Sequence, residues 1–200
     1  MKPILLDLPM PIETPRLLLR PPQLGDGRVV NEAIIESLDE LKKFMPWAMQ
    51  KPSPDETEIF VRQAAANWLL KKNEEPYLPL FIFDKISNQF IGSTGYHHFD
   101  WDVPSIEIGY WIRTSQARKG LMTEAVNALT QYAFKQLSVK CITITCDINN
   151  IRSKKIPEKL NYRLQSVLQT DRIDVDGKVS DTLVFTKYDL TDLPQLKVKW

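Results

Sequence analysis

The residues best suited to chemistry gather around one turn. Ala117-Arg-Lys-Gly120-Leu-Met-Thr-Glu-Ala125 follows a strand-like run, Ser105 to Arg113, and opens an amphipathic helix. The first backbone N–H groups of a helix lack partners within it and carry partial positive charge, so such a turn can receive a phosphate. Gly120 lets the backbone approach closely with no Cβ in the way. Arg118 and Lys119 add full positive charges at the same place. The chemistry is that of a pyrophosphate cradle. Neither common phosphate loop, G-x-x-x-x-G-K-[ST] or G-x-G-x-x-G, occurs in the chain. On the turn alone, an ordinary strand-to-helix connection with exposed basic residues competes with that reading.

A second group of residues could move protons. Glu107 lies in an otherwise apolar strand, so it is a candidate base, with a carboxylate on the rim of the sheet as the alternative. His97 and His98 are the only histidines. As strand neighbours they are expected on opposite faces, so one of them could reach the site as a neutral base. A purely structural role is the alternative for both. Opposite faces also prevent them from converging on one ion, and no metal site is expected. Asp174-Val-Asp176-Gly177 lacks the spacing of a calcium loop and reads as a hairpin turn.

The composition restricts the class of protein. Two hundred residues, 43% hydrophobic and 26% charged, fit one soluble globular domain. With 26 basic and 25 acidic residues, a net charge of +1 argues against a dedicated nucleic-acid binder. Cys141 and Cys146 stand at an odd spacing on one expected strand, so their side chains diverge and no disulfide is expected. That suits a reducing, cytoplasmic setting. The first ten residues lack the long apolar core of a signal peptide. No apolar run reaches membrane-spanning length, so no membrane partner is expected.

The elements that must position these residues follow from periodicity. Asp26 to Lys43 has helical spacing, and Ser53 or Asp55 could cap a second helix running to about Lys72. Arg16 to Arg20 reads as a strand, and Leu80–Phe83 and Phe90–His98 as a strand pair. Ser105 to Arg113 alternates, with Ile106, Ile108, Tyr110 and Ile112 on one face and Glu107, Gly109, Trp111 and Arg113 on the other. Leu121 to Leu137 is helical, Cys141 to Cys146 a buried strand, and Asn150 to Leu160 a short helix. Tyr162–Val175 and Lys178–Leu190 form a hairpin about Asp176-Gly177. Strand, helix, strand in the centre makes a parallel pair with a crossover helix, and the ends are antiparallel. The class is mixed α/β, and Thr191 to Trp200 is expected to be a surface extension.

Five blocks resemble the GNAT N-acetyltransferases, and in particular the branch acting on ribosomal-protein N-termini (RimJ/RimL-like). Ala117 to Met122 resembles the acetyl-CoA motif [RQ]-x-x-G-x-[GA], with Gly120 at the glycine position. Asn150-Ile-Arg-Ser153 followed by Glu158-Lys-Leu-Asn-Tyr162 resembles N-x-x-S…EKLGF. Glu13 to Arg20, Phe44-Met-Pro-Trp47 and Ile91 to Gly95 resemble further family blocks. The match runs in family order from about Glu13 to Leu190, so it covers nearly the whole chain. It implies a GNAT fold, a mostly antiparallel sheet with one splayed parallel pair flanked by helices, in a single domain with its core at about 13–190.

The resemblance also implies roles. Acetyl-CoA is the cofactor, with CoA as product and no metal. Backbone groups of Tyr110, Trp111 and Ile112 would pair with the pantetheine arm, and Arg118, Lys119, Gly120, Leu121, Met122 and Thr123 would hold the pyrophosphate. Asn150 would bond the pantetheine amides, with a helix N-cap as its other reading, and Ser153 would lie near the sulfur. Glu107 would be the base, with His97 as a second candidate. Phe44, Trp47, His98 and Trp101 would line the acceptor site, although Phe44 and Trp47 could equally pack the first two helices. The acceptor would be a primary amine, on a protein N-terminus or a small molecule, that attacks the thioester directly in a ternary complex, and the enzyme would be a monomer or homodimer.

The chain also departs from the family pattern. Ala117 replaces the usual Gln or Arg, and Gln116 stands one residue early. Pro157 occupies the position of a frequent tyrosine acid and would remove the helix bond to the Ser153 carbonyl, so the leaving thiolate would be protonated by Ser153 or by water. Gln165 stands where related enzymes tend to carry a glutamate. These departures motivate the alternative of a catalytically weak or inactive acyl-CoA-binding module.

Overall fold

The structure, a computed structural model, describes residues 3–71 and 77–200. Its strands are β1 (Ile12–Glu13), β2 (Leu17–Arg20), β3 (Leu78–Asp84), β4 (Phe90–Asp100), β5 (Ser105–Ile112), β6 (Cys141–Asp147), β7 (Arg163–Ile173) and β8 (Val179–Lys187). They form one sheet in the order β1-β2-β3-β4-β5-β6-β8-β7. The helices are α1 (Gly27–Leu41), α2 (Pro54–Leu70), α3 (Leu121–Gln136) and α4 (Ile151–Lys159). β5 and β6 run parallel, joined by α3 as the expected crossover, and the other pairings among the described residues are antiparallel.

Two cores sit on the two faces of this sheet. Strand period two sends Leu78, Leu80 and Ile82 to one side, with α3, and Phe81 and Phe83 to the other, with Val30 and Ile34 of α1 and Val61 of α2. β3 is buried on both faces and therefore reads as a continuous apolar run rather than an alternation. In β5 the alternation is kept, with Ile106 and Ile108 buried.

Helix boundaries follow local chemistry. Ser53 caps α2 in a reciprocal box with Glu56, and Pro54 follows at the first helical position. The helix ends at Lys71 in a left-handed conformation (φ 42°), so its expected end near Lys72 falls at a residue outside those described. The turn between β7 and β8 is longer than the two residues expected. The Asp174 carboxylate accepts from the N–H groups of Asp176 and Lys178, and Gly177 takes a positive φ of 77°.

The C-terminal segment, Thr191 to Trp200, runs along the surface and is docked there. Lys199 bridges Glu13, Trp200 packs edge-on against Tyr132 at 5.4 Å, and Asn127 and Gln131 of α3 donate to the carbonyls of Pro194 and Leu196. The apolar side chains Leu193, Leu196, Val198 and Trp200 give it a core-facing surface. Among the described residues no helix is long and apolar enough to cross a membrane.

Replacing Ser53 with Ala removes the capping box. It is expected to cost about 1 kcal/mol and to lower the melting temperature by about 2–4 °C. An unchanged melting curve would show that the box contributes nothing to α2.

Candidate active site

The site begins where two strands part. β5 pairs with β6 only through Ser105, Ile106 and Glu107. Among the described residues β5 from Ile108 onward keeps β4 on one edge and has no strand on the other, while β6 there keeps only β8. Backbone N–H and C=O groups in such a gap need a partner. An extended ligand carrying amides can supply one, as an added strand would.

The gap opens toward the basic turn. After β5 a single 3-10 turn (Thr114–Gln116) leads to Arg118 and Gly120, both left-handed at φ 63° and 75°, and then to α3. Among the described residues the backbone N–H groups from Arg118 to Thr123 find no acceptor. Arg118, Lys119 and Gly120 are exposed. A helix N-terminus with free donors and two cations fits a pyrophosphate. A side chain at Gly120 would have to adopt the left-handed conformation that glycine takes freely.

Several residues that brace the turn were not singled out from sequence. Arg16 donates to the Glu124 carboxylate and to the Lys119 carbonyl, and Thr14 donates to Glu124 at 2.6 Å. Glu36 of α1 takes the Arg113 guanidinium and the Ser115 N–H, and the Ser37 hydroxyl accepts the Thr114 N–H. Glu40 reaches Arg152 of α4 at 2.8 Å. Gln116, the displaced family residue, donates to Gln89 and accepts from Lys119. α1 thus ties together both sides of the gap. Apart from the Lys119–Gln116 bond, these contacts join residues far apart in the chain, so local patterns carry no trace of them.

At the narrow end stands Glu107. Its side chain is 23% exposed. One carboxylate oxygen accepts from the Thr145 hydroxyl at 2.7 Å, and the other lies 3.0 Å from His98 Nδ1. His97 is the cross-strand partner of Glu107, and its ring covers Gly109, where a Cβ would come within 2.7 Å of Nε2. The other side of the ring stacks on Tyr77 at 4.5 Å.

The histidines were expected on opposite faces, and the structure corrects this. The register of β4 shifts between His97 and Asp100, and His98 is left-handed (φ 47°). The bulge turns His98 back onto the face that carries His97, Glu107 and Gly109. Of the two, His98 touches the carboxylate, while His97 packs between Gly109 and Tyr77. Burial pushes the pKa of His97 below its usual value, partly offset by the Glu107 charge. Among the described residues no three His, Cys, Asp or Glu side chains group to hold a metal.

Beyond Gly109 the same face carries an aromatic wall. Trp111 lies between Trp47 and Phe90, at ring separations of 6.1 and 5.8 Å. Trp47 is half exposed, as suits a residue able to meet an acceptor, and Phe44 is half-buried just after α1. Trp101 does not join this wall. It stacks on Phe99 at 4.7 Å and packs against the main core.

The opposite face holds the other candidate residues. Asn150 caps α4 by accepting from the Ser153 N–H at 3.1 Å, so the capping reading is met. Tyr110 reaches across from β5 to α4. Its hydroxyl lies 3.2 Å from the Ser153 carbonyl and 3.1 Å from Ser153 Oγ. Gln165 is exposed, and its amide oxygen lies 3.5 Å from the Thr186 hydroxyl. Cys146 is buried and Cys141 half-buried, and both are free thiols.

Comparison with known proteins places this geometry among relatives. A family profile described as an acetyltransferase (GNAT) domain matches residues 16–163. The chain is 24% identical over 162 residues to YdaF of Bacillus subtilis (strain 168), a candidate ribosomal N-acetyltransferase, covering 80% of this chain and 85% of that one. Its fold is similar to that of the microcin C7 self-immunity acetyltransferase MccE in complex with acetyl-CoA and AMP. There the TM-score is 0.77 and the identity 24%, over 88% of this chain and 93% of that one. It is also similar to RimL, the ribosomal L7/L12 α-N-protein acetyltransferase, in complex with coenzyme A. The TM-score is 0.78 at 18% identity, over 92% and 98% of the two chains.

Because His97 is held neutral by burial, acid should strain the site. The unfolded chain takes up the proton first as pH falls below about 6.5, so stability due to neutral His97 is lost in that range. Chemical denaturation at about pH 7 and pH 5 is expected to show a smaller acid loss for His97→Gln than for wild type. Equal losses would contradict this reading of the ring's environment.

Proposed function

The chain belongs to the acetyltransferase (GNAT) domain family, and from that premise we propose that it acetylates the N-terminal amine of a protein. As a family member it is an acetyl-CoA-dependent N-acetyltransferase. The finer reading concerns the acceptor and the residues that serve it.

Bound acetyl-CoA supplies an acetyl group activated as a thioester. The chain's own residues do the rest. The free N–H groups from Arg118 to Thr123, with the Arg118 and Lys119 cations, take the pyrophosphate. The open edge of β5 at Tyr110, Trp111 and Ile112 and the Asn150 side chain take the amides of the pantetheine arm. The acceptor approaches on the Glu107 face, between the Trp47–Trp111 wall and His98. Ser153, on the far side of the gap, meets the sulfur. No covalent enzyme intermediate is invoked: burial pushes the Cys146 thiol above its ordinary pKa and so disfavours the thiolate a nucleophile would need.

The single observation that carries the reading is the Glu107 carboxylate, held by Thr145 and His98 at the point where β5 and β6 separate. An amine must lose a proton before it attacks. An N-terminal amine, with a pKa near 7.7–8.0, needs about 1 kcal/mol for this at pH 7, whereas a lysine at about 10.4 needs about 4.6. A carboxylate assisted by a histidine suits the smaller demand. The names of YdaF and RimL point to the same acceptor class.

Peptides copying ribosomal-protein N-termini, assayed for CoA release and mass change, test the acceptor. Acetylation of the free α-amine is expected, with an α-blocked peptide carrying a free lysine left unreacted. CoA binding without release from any peptide would favour a binding module instead. In Glu107→Gln, kcat/KM is expected to fall roughly 100-fold with acetyl-CoA affinity preserved. Undiminished turnover would remove Glu107 from the mechanism.

A further inference from the structure

We propose that Tyr110 is a positioning residue for Ser153, using a carbonyl that Pro157 leaves free. The proposal rests on the reading above that the Ser153 hydroxyl meets the leaving sulfur, and it identifies what aims that hydroxyl.

In an uninterrupted helix the carbonyl of Ser153 would accept from the N–H of residue 157. Residue 157 is a buried proline inside α4 and has no N–H to give. A buried or half-buried carbonyl without a donor is costly. Tyr110 supplies the donor from a different element, its hydroxyl lying 3.2 Å from that oxygen. Since its one proton is committed there, the phenol oxygen is left as an acceptor, and Ser153 Oγ donates to it at 3.1 Å. The Ser153 hydroxyl is thereby held in one rotamer at the edge of the gap. Asn150 fixes the serine backbone from the other side by accepting its N–H. Burial pushes the phenol well above its ordinary pKa, so Tyr110 stays protonated as this arrangement requires.

Chain position matters as much as the bonds. Tyr110 lies beyond the last β5–β6 residue pair, and its ring crosses from the freed edge of β5 to α4. It therefore links the two walls of the gap where the pantetheine arm would end. When a thiolate forms there, the Ser153 proton turns from the phenol oxygen to the sulfur. A simple structural tie between β5 and α4 would hold the walls together but would not affect the sulfur.

The test uses CoA itself as the probe, because the free thiol titrates by its ultraviolet absorbance and needs no acceptor. Bound CoA is titrated with pH in wild type, Tyr110→Phe, Ser153→Ala and the double variant, with CoA affinity and melting temperature measured in parallel. Each single variant is expected to raise the midpoint of the bound thiol by about one pH unit, with little change in affinity. The double variant should shift it no further than Ser153→Ala. A midpoint unmoved by Tyr110→Phe but raised by Ser153→Ala would overturn the role of Tyr110 and keep that of Ser153. Additive shifts would also overturn it, since Tyr110 would then act independently. A midpoint unmoved by Ser153→Ala would sink the reading of Ser153 and this inference together. Failure of wild type to bind CoA would instead overturn the cofactor reading.

Discussion

Everything in this site depends on two parallel strands that separate after three residue pairs. A sheet normally satisfies each strand's backbone by its neighbours, and an unpaired edge invites another chain. Here the edge is internal. β5 and β6 stay joined through Glu107 and then diverge, each kept in place by an antiparallel neighbour on its far side. A hydrophobic core lies on each face of the sheet, and among the described residues no strand pairing crosses the resulting gap beyond Glu107. Its preferred occupant is an extended chain with amides at one end and an anion at the other. The helix α3, which must cross from β5 to β6, begins at the wide end and presents its free N–H groups there.

Strand period two then divides the chemistry. Successive residues of β5 face opposite sides, so Glu107, Gly109 and Trp111 look toward α1 and α2, while Ile108 and Tyr110 look toward α3 and α4. The residues proposed for proton removal and acceptor contact gather on the first side. The Tyr110–Ser153–Asn150 network lies on the second. A ligand threaded between the strands would meet both. The alternation that builds the core thus also separates the two groups of candidate residues, and α1 and α4 are joined across the gap by Glu40 and Arg152.

Much of this was legible in the chain because it is local. The alternation of β5, the glycine of the basic turn, the Ser53 cap and the β5–α3–β6 crossover are read from neighbours within a few residues. Pro157 announced a freed carbonyl, although not which donor would take it. Other features depend on contacts that no local pattern encodes. The left-handed His98 follows from a register shift against β5, and a strict alternation put it on the wrong face. Arg16 braces the cradle across more than a hundred residues, and the C-terminal segment docks because Tyr132 and β1 wait for it.

The central claim is that the open edge of β5 and the free N–H groups of the turn together bind the cofactor. Calorimetric titration with acetyl-CoA, comparing wild type with Gly120→Glu, tests it most directly. The added carboxylate places negative charge, and a Cβ at φ 75°, where the pyrophosphate is to sit. The account predicts saturable binding by wild type that is lost in the variant, with both proteins melting as folded molecules. Equal binding by the two would contradict it.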